Sequence, residues 1–367
     1  MSQISPTKNH YHWHPIPPSQ NNTTCTLHLL QAGSIKIPKH LVLLPPSPSS
    51  SSKEEEEEDT HFLAPDYCFL LHHPPTNTSY IFDLGIRKDL SNLPPYLIHN
   101  TLPNFPCYPK SPADILRQHG SPAQQPENVK AVIFSHMHFD HVGDGAKTGF
   151  TNAEIWVGPT CCTYARPGYP VEKDAPTLSE TLPVDGSRRI VEVFISDEEF
   201  ERTGDARAGK VRKAKVEGLY EGVDLRVGVG AFERGFDYFG DGSAFLIDAP
   251  GHAAGHLEML VRVKVNGDGE EDDFALLAGD CYHHPELMKD PQRTARPPFS
   301  KGSMHTDPEV AIDTMARTKA FYEKENVLVA GAHDFSVGEA IVSGKEEIEG
   351  LVCLNEWRSK GWGKGIA

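Results

Sequence analysis

Four short segments of this chain supply seven side chains that could bind metal ions, and any fold has to bring them together. They are His136, His138, Asp140, His141, His252, Asp280 and His333. Imidazole and carboxylate groups in this number are enough for two neighbouring transition-metal ions, an arrangement that generates hydroxide at neutral pH. Because the set extends from residue 136 to residue 333, a domain boundary inside that interval would break the site.

The first segment, SHMHFDHVGD, follows an apolar run at 129–134 that is typical of a buried strand. Residues two apart in an extended backbone project to the same side, so His136 and His138 can converge on one ion. Asp140 and His141 come where the chain begins to turn, and Gly143 and Gly145 after them make that turn possible. We expect this pair to face a second ion a few ångströms away.

The later ligands repeat the pattern of a strand followed by a ligand, so we expect all four segments to lie along one sheet edge. A carboxylate has two oxygens, which makes Asp280 the natural bridge between two ions. The first metal is assigned His136, His138, His252 and Asp280. The second metal is assigned Asp140, His141, Asp280 and His333.

These motifs resemble the metallo-β-lactamase-fold hydrolases. HMHFDH at 136–141 is similar to the HxHxDH signature of that family, and His252, Asp280 and His333 follow in the family's order, after FDLG at 82–85. The resemblance covers about residues 24–340. It is closest to the lactonase branch, and GAFERGFDYFGDGSAFLIDAPGH and GDCYHH are similar to segments of fungal members. It implies an α/β fold, an αββα sandwich of mixed sheets with outer helices, and a dinuclear site at one edge.

Departures from other branches of that family narrow the expected chemistry. The best-known dizinc β-lactamases have a cysteine where Asp280 stands, so antibiotic hydrolysis is not expected despite Cys281. Diiron oxidoreductases of the fold replace the second motif histidine by glutamate, whereas this chain has His138. Persulfide dioxygenases usually lack the last histidine, and His333 is present. Lactonases often carry a tyrosine three residues past the bridging aspartate; here Tyr282 lies two residues past it and His283 three.

The resulting hypothesis is a hydrolase of carboxylic esters whose small-molecule substrate is a lactone. Two zinc ions, or other divalent transition metals, would hold a bridging hydroxide that attacks the carbonyl carbon. Besides the ligand Asp140, Tyr282 or His283 would assist by hydrogen bonding to the carbonyl or protonating the leaving oxygen. A thioesterase acting on an acylglutathione or a carrier-bound acyl chain is the alternative, for which Arg293 and Arg296 could supply an anion-binding surface. A non-catalytic metal-binding protein is the alternative of another class.

Composition sets the expected domain organisation. We expect a disordered tail at 1–22 and a single metallo-hydrolase domain at 23–367. Within it we expect a low-complexity acidic loop at 45–60, because serines there precede a run of glutamates, and an insertion around 186–222. Thirty prolines and 31 glycines among 367 residues indicate long connecting loops around the core.

Charge and cysteine content bound the partners and the compartment. The formal net charge of −16 argues against nucleic acid as a substrate, because such binding depends largely on lysine and arginine. No apolar stretch approaches the length needed to cross a bilayer. Seven cysteines without framework spacing fit a reducing compartment, so a cytoplasmic protein is expected. The oligomeric state stays open.

Two helices and one turn residue are also predicted. Ser111 and Pro112 mark the start of a helix that ends near Gly120, and Asp307 caps a helix that begins at Pro308. Asp83 in FDLG has two readings. It either accepts hydrogen bonds from backbone N–H groups of the ligand loops, the favoured reading, or holds a metal-binding histidine in place.

Overall fold

Two mixed β-sheets lie face to face in the computed structural model, which describes residues 11–45, 60–145, 147–196, 221–267, 269–342 and 347–363. Within these residues the first sheet has the strand order β14-β1-β2-β3-β5-β6-β7-β8, with β4 beside β1. Its strands are β1 (Thr26–Pro38), β2 (His61–His73), β3 (Thr78–Phe82), β4 (Cys107–Pro109), β5 (Val129–Ile133), β6 (Glu154–Val157), β7 (Ile190–Phe194), β8 (Glu221–Asp224) and β14 (Val352–Cys353). Strands β1 to β3 pair antiparallel, and β3, β5, β6, β7 and β8 pair parallel.

The second sheet has the order β13-β12-β11-β10-β9 in the described part of the chain. Its strands are β9 (Gly235–Asp237), β10 (Ala244–Asp248), β11 (Leu257–Lys264), β12 (Asp273–Gly279) and β13 (Val327–Gly331). The pairing is antiparallel except between β12 and β13, which run parallel. Parallel pairing brings the carboxyl ends of β12 and β13, which precede Asp280 and His333, to the same edge.

Helices connect and cover these sheets. The α-helices are α1 (Lys39–Val42), α2 (Pro95–Asn100), α3 (Pro112–His119), α4 (Cys161–Ala165), α5 (Glu286–Lys289), α6 (Pro308–Tyr322) and α7 (Phe335–Val342). Short 3-10 helices lie at Gln20–Asn22, Pro74–Thr76, Leu90–Asn92, Leu102–Asn104, Pro122–Gln124, Pro126–Asn128 and Pro291–Arg293. The helices predicted to begin at Pro112 and Pro308 are confirmed, and they extend to His119 and Tyr322. Asp307 caps α6 by accepting the Val310 N–H at 3.3 Å.

The alternation of side chains along the strands sorts them into the layers of the sandwich. In β10, Ala244 and Leu246 join the core between the two sheets, whereas Phe245 and Ile247 pack against the helix layer that contains Met315 of α6. A third apolar cluster lies where α3 and α4 cover the first sheet; its members include Leu70, Val132, Leu116 and Cys161. Successive residues of a strand face opposite sides, so strands buried on both faces need apolar residues at every position. The predicted αββα sandwich is confirmed.

The structure differs from the predicted tail at residues 11–22. Tyr11 donates a hydrogen bond from its hydroxyl to Asp313 at 2.9 Å, and the ring of Trp13 packs 4.9 Å from that of Phe321 on α6. The His14 N–H donates to the Gly230 carbonyl at 2.7 Å. The apolar side chains in this otherwise polar segment therefore cover the end of α6.

Parts of the other domain predictions lie outside the described residues. These are residues 1–10 of the tail, residues 46–59 of the acidic loop and residues 197–220 of the insertion. The described flanks of that insertion form β7 and β8, which extend the first sheet. The single-domain boundary at 23–367 stays a prediction. No helix in the described part of the chain is long and apolar enough to cross a bilayer, and the cytoplasmic location also stays a prediction.

Candidate metal centre

Each of the four ligand segments begins where a strand ends. Strand β5 of the first sheet ends at Ile133, and β10, β12 and β13 of the second sheet end at Asp248, Gly279 and Gly331. The ligands therefore gather at one edge of the sandwich, with contributions from both sheets.

Glycines allow two of these turns. Gly251, just before His252, has φ +119°, and an added Cβ there would lie 2.3 Å from the Ala311 nitrogen of α6. Gly279, just before Asp280, has φ +50°, and an added Cβ would lie 2.8 Å from Nε2 of His256. Because only glycine combines positive φ with such close approach at low cost, these residues set the positions of both ligands.

The first group of ligands consists of three imidazoles and one carboxylate oxygen. Nε2 of His252 lies 3.1 Å from Nε2 of His136, 3.0 Å from Nδ1 of His138 and 3.3 Å from Oδ2 of Asp280. Two ligands of a tetrahedral zinc ion with bonds near 2.0 Å are separated by roughly 3.3 Å. The spacing of these atoms is therefore that of ligands around one ion.

The second group shares Asp280 through its other oxygen. Oδ1 of Asp280 lies 3.1 Å from Nε2 of His141 and 3.3 Å from Nε2 of His333. Oδ2 of Asp140 lies 3.6 Å from Nε2 of His333. The structure thus brings together all seven residues in the two sets assigned from the sequence, with one Asp280 oxygen turned to each set.

The polar atoms of these groups lack the partners that burial would require. Nε2 of His141, Nε2 of His333 and Oδ1 of Asp280 are buried and make no hydrogen bond, although they lie close to one another. An unpartnered buried polar atom is costly, and three that converge on one point need a shared partner. Nitrogen and carboxylate oxygen donors suit zinc and related divalent ions, so the donor set fits two such ions.

The pKa values of the first group favour metal binding by neutral imidazoles. Burial, reinforced by neighbouring imidazoles, lowers the pKa of both His136 and His252 well below the usual range. Burial also lowers the pKa of His138. Deprotonated imidazoles present free lone pairs, so these three residues are ready to coordinate an ion at neutral pH.

The second group has the opposite electrostatics. Burial opposes protonation of His141 and His333, but nearby carboxylates, Asp280 foremost, outweigh it and raise both pKa values well above the usual range. Burial works to raise the pKa of Asp280, but His141 and His333 lower it well below its usual range. The carboxylates of this group therefore favour positive charge at the point where a metal ion would bind.

Asp83 fixes the first ligand loop by both of the predicted means. Its Oδ1 accepts the Ser135 N–H at 2.7 Å, and its Oδ2 accepts from Nδ1 of His141 at 2.8 Å and from the Ser135 hydroxyl at 2.7 Å. The parallel register of β3 and β5, which pairs Phe82 with Ile133, places Asp83 beside Ser135. Asp83 therefore both accepts a backbone N–H of the ligand loop and holds a ligand histidine in place.

Two histidines near the centre were missed by the sequence analysis. His256 donates from Nδ1 to the Ala249 carbonyl at 2.8 Å and accepts the Asp280 N–H at Nε2 at 3.0 Å, which positions the bridging residue. His305 lies with its Nδ1 3.3 Å from Nδ1 of His252. The spacing of four residues between His252 and His256 could have drawn attention to His256. His305 stands in an irregular stretch, and nothing in the pattern marks it.

Tyr282 and His283 have different positions. The Tyr282 hydroxyl donates to Asp334 at 2.7 Å and accepts the Gly331 N–H at 3.2 Å, so this side chain holds the turn after β13. Nε2 of His283 lies 3.0 Å from Oδ2 of Asp280. The contacts of Tyr282 argue against its predicted catalytic role, whereas His283 reaches the bridging carboxylate.

A cavity of about 420 Å³ opens onto the ligands. His138, Asp140 and Asp280 line it together with Thr101 and Asp174. Its described apolar lining consists of Tyr96, Leu97, Phe105, Met137, Phe139, Tyr164, Pro176 and Met304. The described lining includes no lysine or arginine, and neither Tyr282 nor His283 belongs to it. The cavity therefore suits an uncharged, mostly apolar small molecule whose polar group meets the ligands.

Several known proteins are similar to this chain, although no protein-family model matches it. Gamma-lactamase MBL2 of Gibberella moniliformis is 31% identical over 204 residues, which cover 56% of this chain and 70% of that protein. Metallo-hydrolase mfmC of Annulohypoxylon moriforme is 29% identical over 310 residues, covering 76% and 72%. Cytochrome P450 monooxygenase mpaDE of Penicillium roqueforti is 30% identical over 323 residues, covering 82% of this chain and 32% of that protein.

The chain thus spans about a third of the length of mpaDE and similar relatives. Among solved structures, an N-acyl homoserine lactone hydrolase with its product at the catalytic metal centre has a TM-score of 0.53 and 19% identity, with 87% of this chain and 96% of that chain covered. That likeness shows the fold. Together with the relatives, it establishes that the chain belongs to the metallo-β-lactamase-fold superfamily.

Proposed function

We propose that this protein is a dinuclear-metal-dependent hydrolase that opens a small, uncharged cyclic ester. The observation that carries the proposal is the pair of ligand groups that share Asp280 at the base of an apolar cavity. Bound there, two divalent cations supply acidification of a water molecule and polarisation of a carbonyl oxygen. Zinc is the proposed metal, because the ligands are nitrogen and carboxylate oxygen and hydrolysis needs no redox change.

The chain's own residues account for the other requirements of the reaction. Met137, Phe139 and Tyr164 line the cavity with apolar surface that excludes water from a bound substrate. Asp140 reaches the cavity from the second group of ligands, and His138 reaches it from the first. A carbonyl group in the cavity can therefore lie beside both groups at once.

A cyclic amide is the second candidate substrate, because a relative with 31% identity is named a gamma-lactamase. Lactones and lactams both present a carbonyl in a small neutral ring, so the same cavity accommodates either. The leaving amine of a lactam requires a proton more strongly than the leaving alkoxide of a lactone does. His283 contacts Asp280 but does not line the cavity, so it is not placed to give that proton directly to the leaving amine.

The acylglutathione alternative receives little support from the basic residues on which it depended. Arg293 donates to the Leu44 carbonyl and to Glu286, and Arg296 donates to Glu309 and to the carbonyls of Gln292 and Thr294. Instead, the acidic side chain of Asp174 lines the cavity. An anionic substrate would meet carboxylates there. The non-catalytic alternative required an occluded centre, and the cavity leaves room for a carbonyl group.

The test is a substrate panel on the zinc-loaded protein, with lactones, lactams, acylglutathione thioesters and phosphodiesters as separate arms. Lactone hydrolysis is expected to be fastest, to disappear on chelation and to be lost in Asp140→Ala. A matched control is Asp114→Asn, which changes an exposed carboxylate that pairs with Lys88 outside the cavity and is expected to retain activity. Faster hydrolysis of lactams than of lactones would make a cyclic amide the proposed substrate. Cleavage of phosphodiesters alone would refute the proposed function.

A further inference from the structure

Each imidazole that binds a metal through one nitrogen has a second nitrogen, whose partner fixes the ring and its tautomer. Four of the five ligand histidines have such a partner among the described residues. The pairs are His141 with Asp83 at 2.8 Å, His333 with the Pro65 carbonyl at 2.8 Å, His136 with the Ser135 hydroxyl at 3.0 Å and His252 with His305 at 3.3 Å. His252 is thus the ligand whose partner is another imidazole.

The direction of the hydrogen bond between these two rings follows from the site. Nε2 of His252 faces His136 and His138, so it must offer a lone pair to an ion. Its proton is then on Nδ1, and Nδ1 of His305 accepts it. This requires His305 to be neutral and protonated on Nε2. The two rings lie nearly perpendicular, at 86°, with centroids 5.2 Å apart.

Backbone hydrogen bonds keep His305 at this place. The Thr306 N–H donates to the His252 carbonyl at 2.9 Å, and the Asp307 N–H donates to the Gly251 carbonyl at 2.9 Å. His305 is buried, and its neighbour Met304 lines the cavity. The segment at 304–307, between the cavity and α6, is therefore hydrogen-bonded to the loop that contains His252.

We propose that His305 is a positioning residue that holds His252 in the tautomer and orientation required by the first metal ion. The inference rests on the two-ion site of the proposed function, but not on its substrate. Loss of the acceptor on His305 selectively weakens the first ion, because the second group has its own partners in Asp83 and Pro65. Removing such a partner typically lowers metal affinity by about 10- to 100-fold.

Substitutions of His305 separate this role from simple space filling. His305→Phe keeps a ring of similar size without an acceptor. His305→Asn places a carbonyl oxygen near the position of Nδ1 and should restore the hydrogen bond. The matched control is His73→Phe, which replaces another buried histidine, one paired with Asp241 at 2.9 Å. Metal content is measured by mass spectrometry after dialysis against graded chelator, and folding by circular dichroism.

In the wild-type protein and in His73→Phe we expect two ions per chain. In His305→Phe one ion should be lost at roughly 10- to 100-fold weaker chelation while the other is held as in wild type, and His305→Asn should recover most of the affinity. Wild-type affinity for both ions in His305→Phe would overturn the proposal. Three ions in wild type would also overturn it, because His252, His283 and His305 would then be ligands of an additional ion.

Nitrogen NMR of the zinc-loaded wild-type protein tests the same point without a variant, in case His305→Phe does not fold. His305 should carry its proton on Nε2, and a proton on Nδ1 would contradict the proposal. These readouts are independent of hydrolysis. A protein that hydrolyses no cyclic ester but shows the expected metal binding would refute only the proposed function. An active protein with unaffected metal binding in His305→Phe would refute only the role of His305.

Discussion

The two ligand groups meet at Asp280 yet differ in composition and charge. The first has three imidazoles whose pKa values burial lowers. The second has two imidazoles whose pKa values are raised by carboxylates, and it includes Asp140 as well as the shared aspartate. The first group is therefore neutral and rich in nitrogen, whereas the second is more acidic. An ion in the second group would be attracted by more carboxylate charge but would have to displace protons from its imidazoles, and an ion in the first group would not.

The groups that hydrogen-bond to the second nitrogen of the ligand histidines also differ between the two sets. Asp83 and the Pro65 carbonyl support the second group with strong acceptors. A hydroxyl of Ser135 and an imidazole of His305 support the first. Stronger acceptors raise the basicity of a ligating imidazole, so the second group gains affinity at the expense of a higher proton affinity.

Asp280→Ala should have the largest effect, because it removes the residue common to both groups. We expect the variant to retain fewer than two ions and to lose roughly 10³-fold or more in kcat/KM, since each metal contribution amounts to several kcal/mol. Metal analysis and steady-state kinetics on the substrate from the panel measure this. The control is Asp273→Asn, at the other end of β12, where the carboxylate pairs with Arg358. Two tightly bound ions in Asp280→Ala would contradict the assignment of Asp280 as a ligand shared by both ions.

Single deletions in each group test whether the groups bind ions independently. His138→Ala should lose the first ion, and His333→Ala the second, with one ion per chain remaining and kcat/KM lower by roughly 10²-fold in both. Native mass spectrometry counts the ions. If either deletion released both ions, the two groups would form one cooperative unit.

Asp83→Asn should weaken the second ion by about 10- to 100-fold, because an amide is a poorer acceptor for Nδ1 of His141 than a carboxylate. Asn tolerates the positive φ of +62° at this position, so the variant is expected to fold. Chelator titration gives the two affinities. Asp89→Asn, which alters a carboxylate paired with Arg87, is the control. A larger effect on the first ion would show that Asp83 acts mainly through Ser135 and His136.

Acidification should release the second ion before the first. The raised pKa values of His141 and His333 mean that this ion must displace protons, so its affinity falls as the pH is lowered, by roughly tenfold per pH unit for each proton displaced. The first group has pKa values below the usual 6.5 and keeps its affinity until the pH falls further. Metal content after dialysis between pH 8 and pH 5.5, compared with that of His333→Ala, measures the order. Simultaneous release would contradict it.

Tyr282→Phe should have the smallest effect and marks the boundary of the site. Loss of its hydrogen bond to the buried Asp334 should lower the free energy of unfolding by about 1 kcal/mol. Ion content and kcat should stay within about twofold of wild type, because no metal contribution is removed. Denaturant unfolding and kinetics test the two parts. A large fall in kcat with normal ion content would restore the catalytic role predicted for this tyrosine.

The sequence predicted what local patterns determine. Apolar runs identified the strands that end shortly before His136, His252, Asp280 and His333, and proline and aspartate marked the start of α6. The predicted division of the ligands follows from chain geometry, with His136 and His138 on one side of an extended segment.

What the sequence did not predict depends on contacts between distant segments. His305 approaches His252 only because its loop returns from the cavity wall, and Trp13 is placed by Phe321, more than half the chain away. The Tyr282 hydroxyl could not be assigned to Asp334 until the parallel register of β12 and β13 was known. Such partners are set by packing and carry no periodic signal.

The ligand-bearing loops come from both sheets, since His136, His138, Asp140 and His141 follow β5 whereas His252, Asp280 and His333 follow strands of the other sheet. Ions bound there would connect loops of the two sheets at one edge of the sandwich. Ligands that bind only the folded state add free energy of unfolding as their concentration exceeds the dissociation constant, by about 2.7 kcal/mol at a hundredfold excess. The protein's resistance to heat and proteolysis would then rise with the concentration of the free metal ion around it, independently of catalysis.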